Sequence, residues 1–214
     1  MIEQLIDGIV NLAGDQVLAE VKRGIESGEN ALEILEKCRK GMNIVGELFN
    51  KGDISTAELI LSGELFRQAF LFLEPYLASG NKHGTSGKVI LATMQGDIHD
   101  LGKNILATLL KSHGFEVYDL GVDVSPETLI NEVRTFHPRF LGLSALITPV
   151  LKVMKRTVEL LEENGLRKSV YILIGGGITT PQSRAFIGAD FQSIEAMESL
   201  NYCIKMSRKE VKSR

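Results

Sequence analysis

From Lys88 onward, short apolar runs alternate with longer segments whose apolar residues recur at helical spacing. This alternation is typical of strand–helix–strand units, which form a parallel sheet covered by helices on both faces. We therefore predict an α/β domain at 88–207 with a parallel sheet of five strands. The strands are expected at 88–94, 116–120, 140–145, 170–175 and 190–194. The helices are expected near 102–113, 126–136, 149–164 and 180–188.

Residues 1–78 carry no strand pattern, and their apolar positions recur at helical spacing instead. They predict a bundle of four short helices, the third of which spans 31–49. Asp15 is expected to cap the second helix. Ser55 and Glu58 have the spacing of a capping box and predict the start of the fourth helix.

Two segments outside the predicted domains are polar. The segment at 79–87 is rich in glycine and has no periodicity, so it predicts a flexible linker that lets the domains separate and re-dock. His83, within this linker, is expected to be solvated rather than to bind a ligand. Lys and Arg residues gather at 208–214, which predicts a short basic tail in solvent.

The overall charge and the cysteines exclude several classes of protein. A formal charge of −3 and a pI near 5.9 give no general attraction to nucleic acid. The first residues lack a basic leader pattern, and no apolar run approaches the length of a membrane span, so we expect a cytoplasmic protein without membrane contact. Cys38 and Cys203 lie far apart and form no disulfide framework or metal-ligand pair, which fits thiols in a reducing compartment.

His99 lies in the loop between the first predicted strand and the helix that follows it. Open α/β sheets bind their ligands at the carboxyl ends of the strands, so this imidazole is expected at the functional edge. Asp97 is close enough in sequence to hold one ring nitrogen and thereby orient the other toward a metal. The absence of a second His or Cys nearby disfavours zinc. His113 and His137 are expected to be helix caps or surface residues.

Two further motifs end later predicted strands, Ser144-Ala145-Leu146 and Gly175-Gly176-Gly177. Asp-x-His-x-x-Gly, Ser-x-Leu and Gly-Gly, in this order, closely resemble the cobalamin-binding motif of methionine synthase and of the corrinoid proteins of methyltransferase systems. The resemblance implies a flavodoxin/Rossmann-like cobalamin-binding domain. The alternative is a flavodoxin-like domain whose loop histidine arose by chance.

The resemblance assigns roles to the motif residues. His99 would ligate cobalt in place of the nucleotide base of the cofactor, the base-off/His-on arrangement, and Asp97 would orient it. Ser144 would bond the buried base, Leu146 and Ile147 would line the slot for the nucleotide tail, and the glycines at 175–177 would leave room for that tail. The remaining implied cofactor-binding residues are Gly96, Ile98, Asp100, Gly102 and Thr148. The family continues with a serine that completes a proton relay; here Val150 interrupts it unless Thr148 or water substitutes.

The helical domain resembles the cap that shields the upper corrin face in these proteins. Residues 41–49 match its Gly-Met-Asn stretch, which would place Phe49 over the methyl-bearing face. The alternative is that Phe49 belongs to the core of the bundle. Shielding and transfer would require a cap that moves.

The resemblance implies a methyl carrier rather than a complete enzyme: a non-catalytic corrinoid subunit of a multi-component methyltransferase system. One partner would be a substrate-specific methyltransferase acting on a methylated amine, methanol, an aryl ether or betaine. A second methyltransferase would pass the methyl group to tetrahydrofolate or a thiol coenzyme, and a reductive activator would complete the system. The competing interpretations are a cobalamin-dependent sensor or regulator and the cobalamin-binding subunit of a mutase.

Overall fold

The computed structural model describes residues 2–77 and 86–210. The chain divides into two compact units, Met1–Ser79 and Gly80–Arg214. Most of the predicted linker, including His83, and the end of the predicted basic tail lie outside the described residues. Ser86, the first residue described after that gap, donates a backbone hydrogen bond of 3.0 Å to the carbonyl oxygen of Gly114.

The first unit consists of four helices, as predicted. They are α1 (Ile2–Val10), α2 (Gly14–Glu26), α3 (Ala31–Lys51) and α4 (Thr56–Leu77). Each helix contributes side chains to a common buried core, among them Leu5, Ile9, Val17, Val21, Ile34, Cys38, Val45, Ala69 and Leu73.

In the first unit, side chains cap the starts of α3 and α4, and no side chain caps the start of α2. Ser55 and Glu58 form the predicted capping box, since the Glu58 carboxylate accepts from the Ser55 N–H at 2.7 Å and the Ser55 hydroxyl accepts from the Glu58 N–H at 3.3 Å. Asn30 caps α3 by accepting from the N–H of Leu32. The prediction for Asp15 is wrong: α2 begins at Gly14, so Asp15 lies inside the first turn and no side chain caps this helix.

The second unit is built on five parallel strands in the order β2-β1-β3-β4-β5. They are β1 (Lys88–Thr93), β2 (Glu116–Asp119), β3 (Phe140–Ser144), β4 (Tyr171–Gly175) and β5 (Phe191–Gln192). Thr93 pairs with Ser144 and Ser144 pairs with Gly175, so the last residues of β1, β3 and β4 are level with one another. This register brings the three sequence motifs together at one edge of the sheet.

Helices flank the sheet, which confirms the predicted α/β fold. They are α5 (Leu101–Ser112), α6 (Pro126–Phe136), α7 (Val150–Glu163), α8 (Pro181–Ile187) and α9 (Ala196–Glu210), with a short 3-10 turn at Arg167–Ser169. Alternate strand residues such as Ile90, Leu141 and Ile172 form one core with side chains of α6 and α7.

Helix α9 was not predicted from the sequence. It packs against α5 and buries Leu200 and Cys203. The residues at 208–210, predicted as the start of a solvated tail, belong to this helix. Within the described parts of the chain, no helix is long and apolar enough to cross a membrane.

Candidate functional site

His99 lies on the loop that joins the end of β1 to the first turn of α5. Its side chain is 54% exposed, so the imidazole faces solvent at the carboxyl edge of the sheet. The Thr93 hydroxyl donates a hydrogen bond of 3.1 Å to the His99 carbonyl oxygen and ties the loop back to the strand. The position predicted from the sequence is therefore the position observed.

The Asp97 carboxylate is buried and holds His99 at two points. Its Oδ1 accepts from the His99 N–H at 3.0 Å and lies 2.6 Å from the imidazole Nδ1. Its Oδ2 accepts from the N–H of Leu146 at 2.6 Å. Burial alone would raise the pKa of Asp97, but the hydrogen bonds from Leu146 and His99 outweigh burial and lower this pKa below its ordinary value. An ionised Asp97 assigns the ring proton to Nδ1, which leaves Nε2 as the nitrogen available to a metal.

The loop after β3 carries the Ser-x-Leu motif alongside the His99 loop. Ser144 is half-buried at the end of its strand, and the N–H of Ala145 donates to the carbonyl oxygen of Gly175 at 3.1 Å. Leu146 and Ile147 are 43% and 38% exposed, and Thr148 is exposed as well. These apolar side chains are therefore available to an apolar ligand at the edge of the sheet.

The three glycines at the end of β4 and directly after it, Gly175, Gly176 and Gly177, meet different surroundings. A Cβ on Gly176, whose φ is +105°, would lie 1.9 Å from the Ala145 carbonyl oxygen, so this position requires glycine for the fold itself. A Cβ on Gly175 would lie 3.3 Å from the Ser193 carbonyl oxygen. A Cβ on Gly177 would meet only a movable methyl group of Leu146 at 3.1 Å. A bulky residue at Gly176 would thus test the turn rather than the slot, and Gly177 is the informative position.

The remaining motif residues lie close to His99 in the chain. Gly96 has a φ of +91°, and Ile98 is 73% exposed. The Asp100 carboxylate accepts from the Asn104 side-chain amide at 3.0 Å. A Cβ on Gly102 would have no described atom within 4 Å, so the space beside this residue is open.

Phe49, the predicted cap residue, lies in α3 of the helical unit. Its side chain is 37% exposed, whereas Val45, one turn earlier, is fully buried. The alternative placement of Phe49 in the bundle core is therefore wrong. Phe49 is instead a partly exposed aromatic residue at the surface of this unit.

Several residues near the site were not predicted. Asp123, after β2, bonds to the His99 loop through its backbone N–H and its carboxylate. The Lys103 ammonium group is buried and bonds both oxygens of Asp119 at 2.5 and 2.6 Å. Only their positions in the sequence could have indicated Asp119 and Asp123, because Asp119 ends β2, the strand beside β1, and Asp123 follows it. Their partners come from other elements, which the local sequence does not reveal.

His99 is the only histidine that the described part of the chain places at this edge of the sheet. Among the described residues, no group of three or more His, Cys, Asp or Glu side chains could hold a metal ion. His113 and His137 are helix caps, as expected: the former lies within 2.8 Å of the Leu109 carbonyl oxygen through Nδ1, and the latter ends α6 with a φ of +48°. One imidazole fits a metal whose other positions are filled by a macrocycle.

Comparison with known proteins identifies the kind of chain that carries this site. The family model described as B12 binding domain matches residues 87–200, and a second model with the same description matches residues 1–74. Dimethylamine corrinoid protein 2 of Methanosarcina acetivorans is 34% identical over 201 residues, which cover 94% of this chain and 93% of that protein. The dimethylamine corrinoid protein of Methanosarcina barkeri is 33% identical over 201 residues, 94% of each chain.

Solved structures show the same relationship. The monomethylamine corrinoid protein of Methanosarcina barkeri has a TM-score of 0.89 and 32% identity, and the alignment covers 94% of this chain and 96% of that one. A cobalamin-binding protein from Desulfitobacterium hafniense has 31% identity and a TM-score of 0.55, over 96% and 98% of the two chains. A chain of the methanol:cobalamin methyltransferase complex of Methanosarcina barkeri has 25% identity and a TM-score of 0.56, over 97% and 79%. The chain thus belongs to the corrinoid proteins, the cobalamin-binding family of methyltransferase systems.

Proposed function

We propose that this chain is the corrinoid methyl carrier of a methylamine methyltransferase system. The observation that carries the proposal is the pairing of His99 Nδ1 with the buried Asp97 Oδ1 at 2.6 Å, in a ring that is 54% exposed. Relatives of nearly the same length, named as dimethylamine corrinoid proteins, support a carrier over a sensor or a mutase subunit. Their names support a methylated amine as the source of the methyl group.

The residues present fit a corrinoid. A corrin ring would supply most of the ligands of its own cobalt, so the single imidazole of His99 would be a sufficient ligand from the protein. Asp97 fixes the tautomer and orientation of His99, which fits Nε2 ligation in the base-off/His-on arrangement. A bound corrinoid would supply the organometallic chemistry of methyl transfer, while the protein would hold and orient it.

The other residues at this edge would bind and position the ring and its tail. Ile98, Leu146 and Ile147 offer exposed apolar surface, and the open space at Gly102 admits a bulky group. Ser144 and Thr148 offer hydroxyl groups to the nucleotide tail. The set that would hold the cofactor comprises Gly96, Asp97, Ile98, His99, Asp100, Gly102, Ser144, Leu146, Ile147, Thr148, Gly175, Gly176 and Gly177.

The helical unit would serve as the cap for the upper face of the corrin. Its exposed Phe49, at the end of the Gly-Met-Asn stretch, would be the shielding side chain. Partner enzymes must reach the methyl group, so the cap would open in each transfer. The partners would be an amine-specific methyltransferase, a second methyltransferase that acts on tetrahydrofolate or a thiol coenzyme, and a reductive activator.

Cobalt ligation can be tested by electron paramagnetic resonance of the protein loaded with cobalamin and reduced to cobalt(II). The wild-type spectrum is expected to show hyperfine splitting from a protein nitrogen, which changes when histidine is labelled with ¹⁵N. His99→Gly should abolish this splitting. His137→Asn is the matched control, because asparagine tolerates the left-handed backbone at that helix cap. A His99→Gly spectrum identical to the wild type would reject the ligand assignment.

The methyl donor can be tested separately. The loaded protein, with its cobalt reduced to cobalt(I) by a chemical reductant such as titanium(III) citrate, would be mixed with purified methyltransferases specific for monomethylamine, dimethylamine and methanol, each with its substrate. We expect one of the amine enzymes, and not the methanol enzyme, to methylate the cofactor. The absorbance spectrum of the cofactor measures this methylation. Methylation by the methanol enzyme alone would overturn the amine assignment and leave the carrier assignment intact.

A further inference from the structure

The loop between β2 and α6, at 120–125, runs beside the end of β1. Thr93 anchors it through both backbone groups, because its N–H donates to the Gly121 carbonyl oxygen and its carbonyl oxygen accepts from the Val124 N–H, each at 3.0 Å. The N–H of Gln95 donates to the Val124 carbonyl oxygen at 2.9 Å. This loop therefore follows the chain of β1 into the His99 loop.

Asp123 contacts the ligand loop, the residues at 94–100 that carry His99, through both its backbone and its side chain. Its N–H donates to the Asp97 carbonyl oxygen at 3.1 Å, and its Oδ1 accepts from the Gly96 N–H at 2.8 Å. The two hydrogen bonds hold the consecutive residues Gly96 and Asp97 from the side of β2. Leu146 holds the same loop from the opposite side through the Asp97 carboxylate.

The backbone of Asp123 is in an uncommon conformation for a residue with a side chain. Its φ is +55°, a value that asparagine and aspartate tolerate better than other such residues. Strained backbone persists where the surrounding contacts fix it, and such residues concentrate at functional sites. Here the strained conformation directs both the N–H and the carboxylate of Asp123 toward the loop of His99.

A role of Asp123 in building its own helix does not account for these contacts. Helix α6 is capped by Ser125, whose hydroxyl accepts from the Thr128 N–H at 3.2 Å. Asp123 itself is exposed, so it adds nothing to the buried core. Its described hydrogen bonds serve the ligand loop.

We propose that Asp123 is a positioning residue for the His99 ligand. It fixes the backbone of Gly96 and Asp97, and Asp97 in turn fixes the imidazole of His99. The proposal rests on the proposed function, because it assumes that His99 ligates the corrinoid. It adds a contact from the β2 side of the site, for which no sequence motif was recognised.

Three substitutions separate the contributions of Asp123. Asp123→Asn keeps a side-chain oxygen for the Gly96 N–H and tolerates the positive φ. Asp123→Gly removes that acceptor while relieving the backbone strain. Asp123→Ala removes the acceptor and retains the strain. Circular dichroism and thermal unfolding would establish that each variant folds.

Two measurements report on the proposed role. Amide hydrogen exchange of Gly96, followed by nuclear magnetic resonance in the protein without cofactor, reports the loop contact. The affinity for cob(II)alamin, together with the protein-nitrogen splitting in its resonance spectrum, reports the ligand. Asp123→Gly should accelerate Gly96 exchange and weaken cobalamin binding by roughly three- to tenfold, the equilibrium effect of one hydrogen bond. Asp123→Asn should remain near the wild type in both, and Asp123→Ala should be the weakest binder.

The outcomes distinguish this proposal from the proposed function. Absence of protein-nitrogen splitting in the wild type would reject His99 ligation and the positioning role with it. Splitting in the wild type, with unchanged affinity and spectrum in Asp123→Gly, would overturn the positioning role alone. A defect of equal size in Asp123→Asn would assign the effect to charge and would likewise overturn the role of the Gly96 bond.

Discussion

The Asp97 carboxylate and the backbone N–H of Leu146 form a hydrogen bond of 2.6 Å that links the loop after β1 to the loop after β3. The family resemblance implied that Val150 interrupts a proton relay unless Thr148 or water substitutes. Val150 is buried, and the described hydrogen bonds of the Asp97 carboxylate come from His99 and Leu146. An amide does not release its proton as a hydroxyl can, so this bond stabilises an ionised Asp97.

Removal of the Asp97 carboxylate should weaken cofactor binding. Asp97→Ala leaves the His99 tautomer unfixed, and loss of such an orienting partner typically costs about 10–100-fold in metal affinity. It also leaves the Leu146 N–H without its acceptor, which should lower the free energy of unfolding by about 1–3 kcal/mol. Titration with cob(II)alamin and urea unfolding measure the two effects. Asp97→Asn retains one acceptor oxygen and should be intermediate; wild-type affinity in Asp97→Ala would contradict the orienting role.

Substitutions of the two glycines after β4 should separate an effect on folding stability from an effect on the proposed nucleotide slot. Gly176→Ala forces a Cβ against the Ala145 carbonyl oxygen at positive φ, so it should lower the free energy of unfolding by roughly 2–4 kcal/mol. Gly177→Val meets only a movable Leu146 methyl group, so the protein should fold normally but lose more than about tenfold in cobalamin affinity. Urea unfolding and cofactor titration are the measurements. Tight stoichiometric binding by folded Gly177→Val would reject the slot at this position.

Phe49 can be tested against an equally exposed phenylalanine in the same unit. Phe49 and Phe72 are each 37% exposed, so substitution of either by alanine should lower stability by a similar amount through the loss of buried apolar area. If Phe49 shields the upper face of the corrin, only Phe49→Ala should accelerate azide binding to the bound aquacobalamin, measured by stopped-flow absorbance. Equal azide rates in the two variants and the wild type would show that Phe49 does not limit access.

The two cysteines should report unfolding of the two units separately. Cys38 and Cys203 are buried, and burial raises the pKa of each thiol to about 12. Iodoacetamide at pH 8 should therefore modify neither thiol in the folded protein, and each should react when its own unit unfolds in urea, as measured by peptide mass spectrometry. The thiols ionise near pH 9 when unfolded, so their burial should also make stability fall as pH rises from about 9 toward 12. Rapid labelling without denaturant would contradict the buried placement.

The sequence predicted those elements and contacts that depend only on residues close together in the chain. The apolar run of β1 and the His99–Asp97 pair, two residues apart, needed no knowledge of the rest of the chain. Strand β5 is shorter than predicted, because the run at 190–194 extends beyond its pairing with β4. Helix α9 was missed, although Leu200 and Cys203 lie three residues apart and share its buried face.

The tertiary part of the site could not be predicted in this way. The Leu146 N–H reaches Asp97 because Thr93 pairs with Ser144, a register that only the folded sheet defines. Asp123 reaches Gly96 because β2 lies beside β1 and the chain takes a positive φ after it. The residues of the ligand loop alone predict neither the strand pairing of Thr93 with Ser144 nor the positive φ of Asp123.

The buried position of Asp97 has a thermodynamic consequence for cofactor binding. Its oxygens restrict the rotation of the His99 ring in the folded protein before any ligand arrives. Immobilising a side chain during association costs about 0.5–1.5 kcal/mol of conformational entropy. Because the His99 side chain is already held in the folded protein, this entropy is lost during folding and not during cofactor binding. Affinity and folding stability are therefore linked through one carboxylate, and the ligand loop should keep the same conformation with and without its corrinoid.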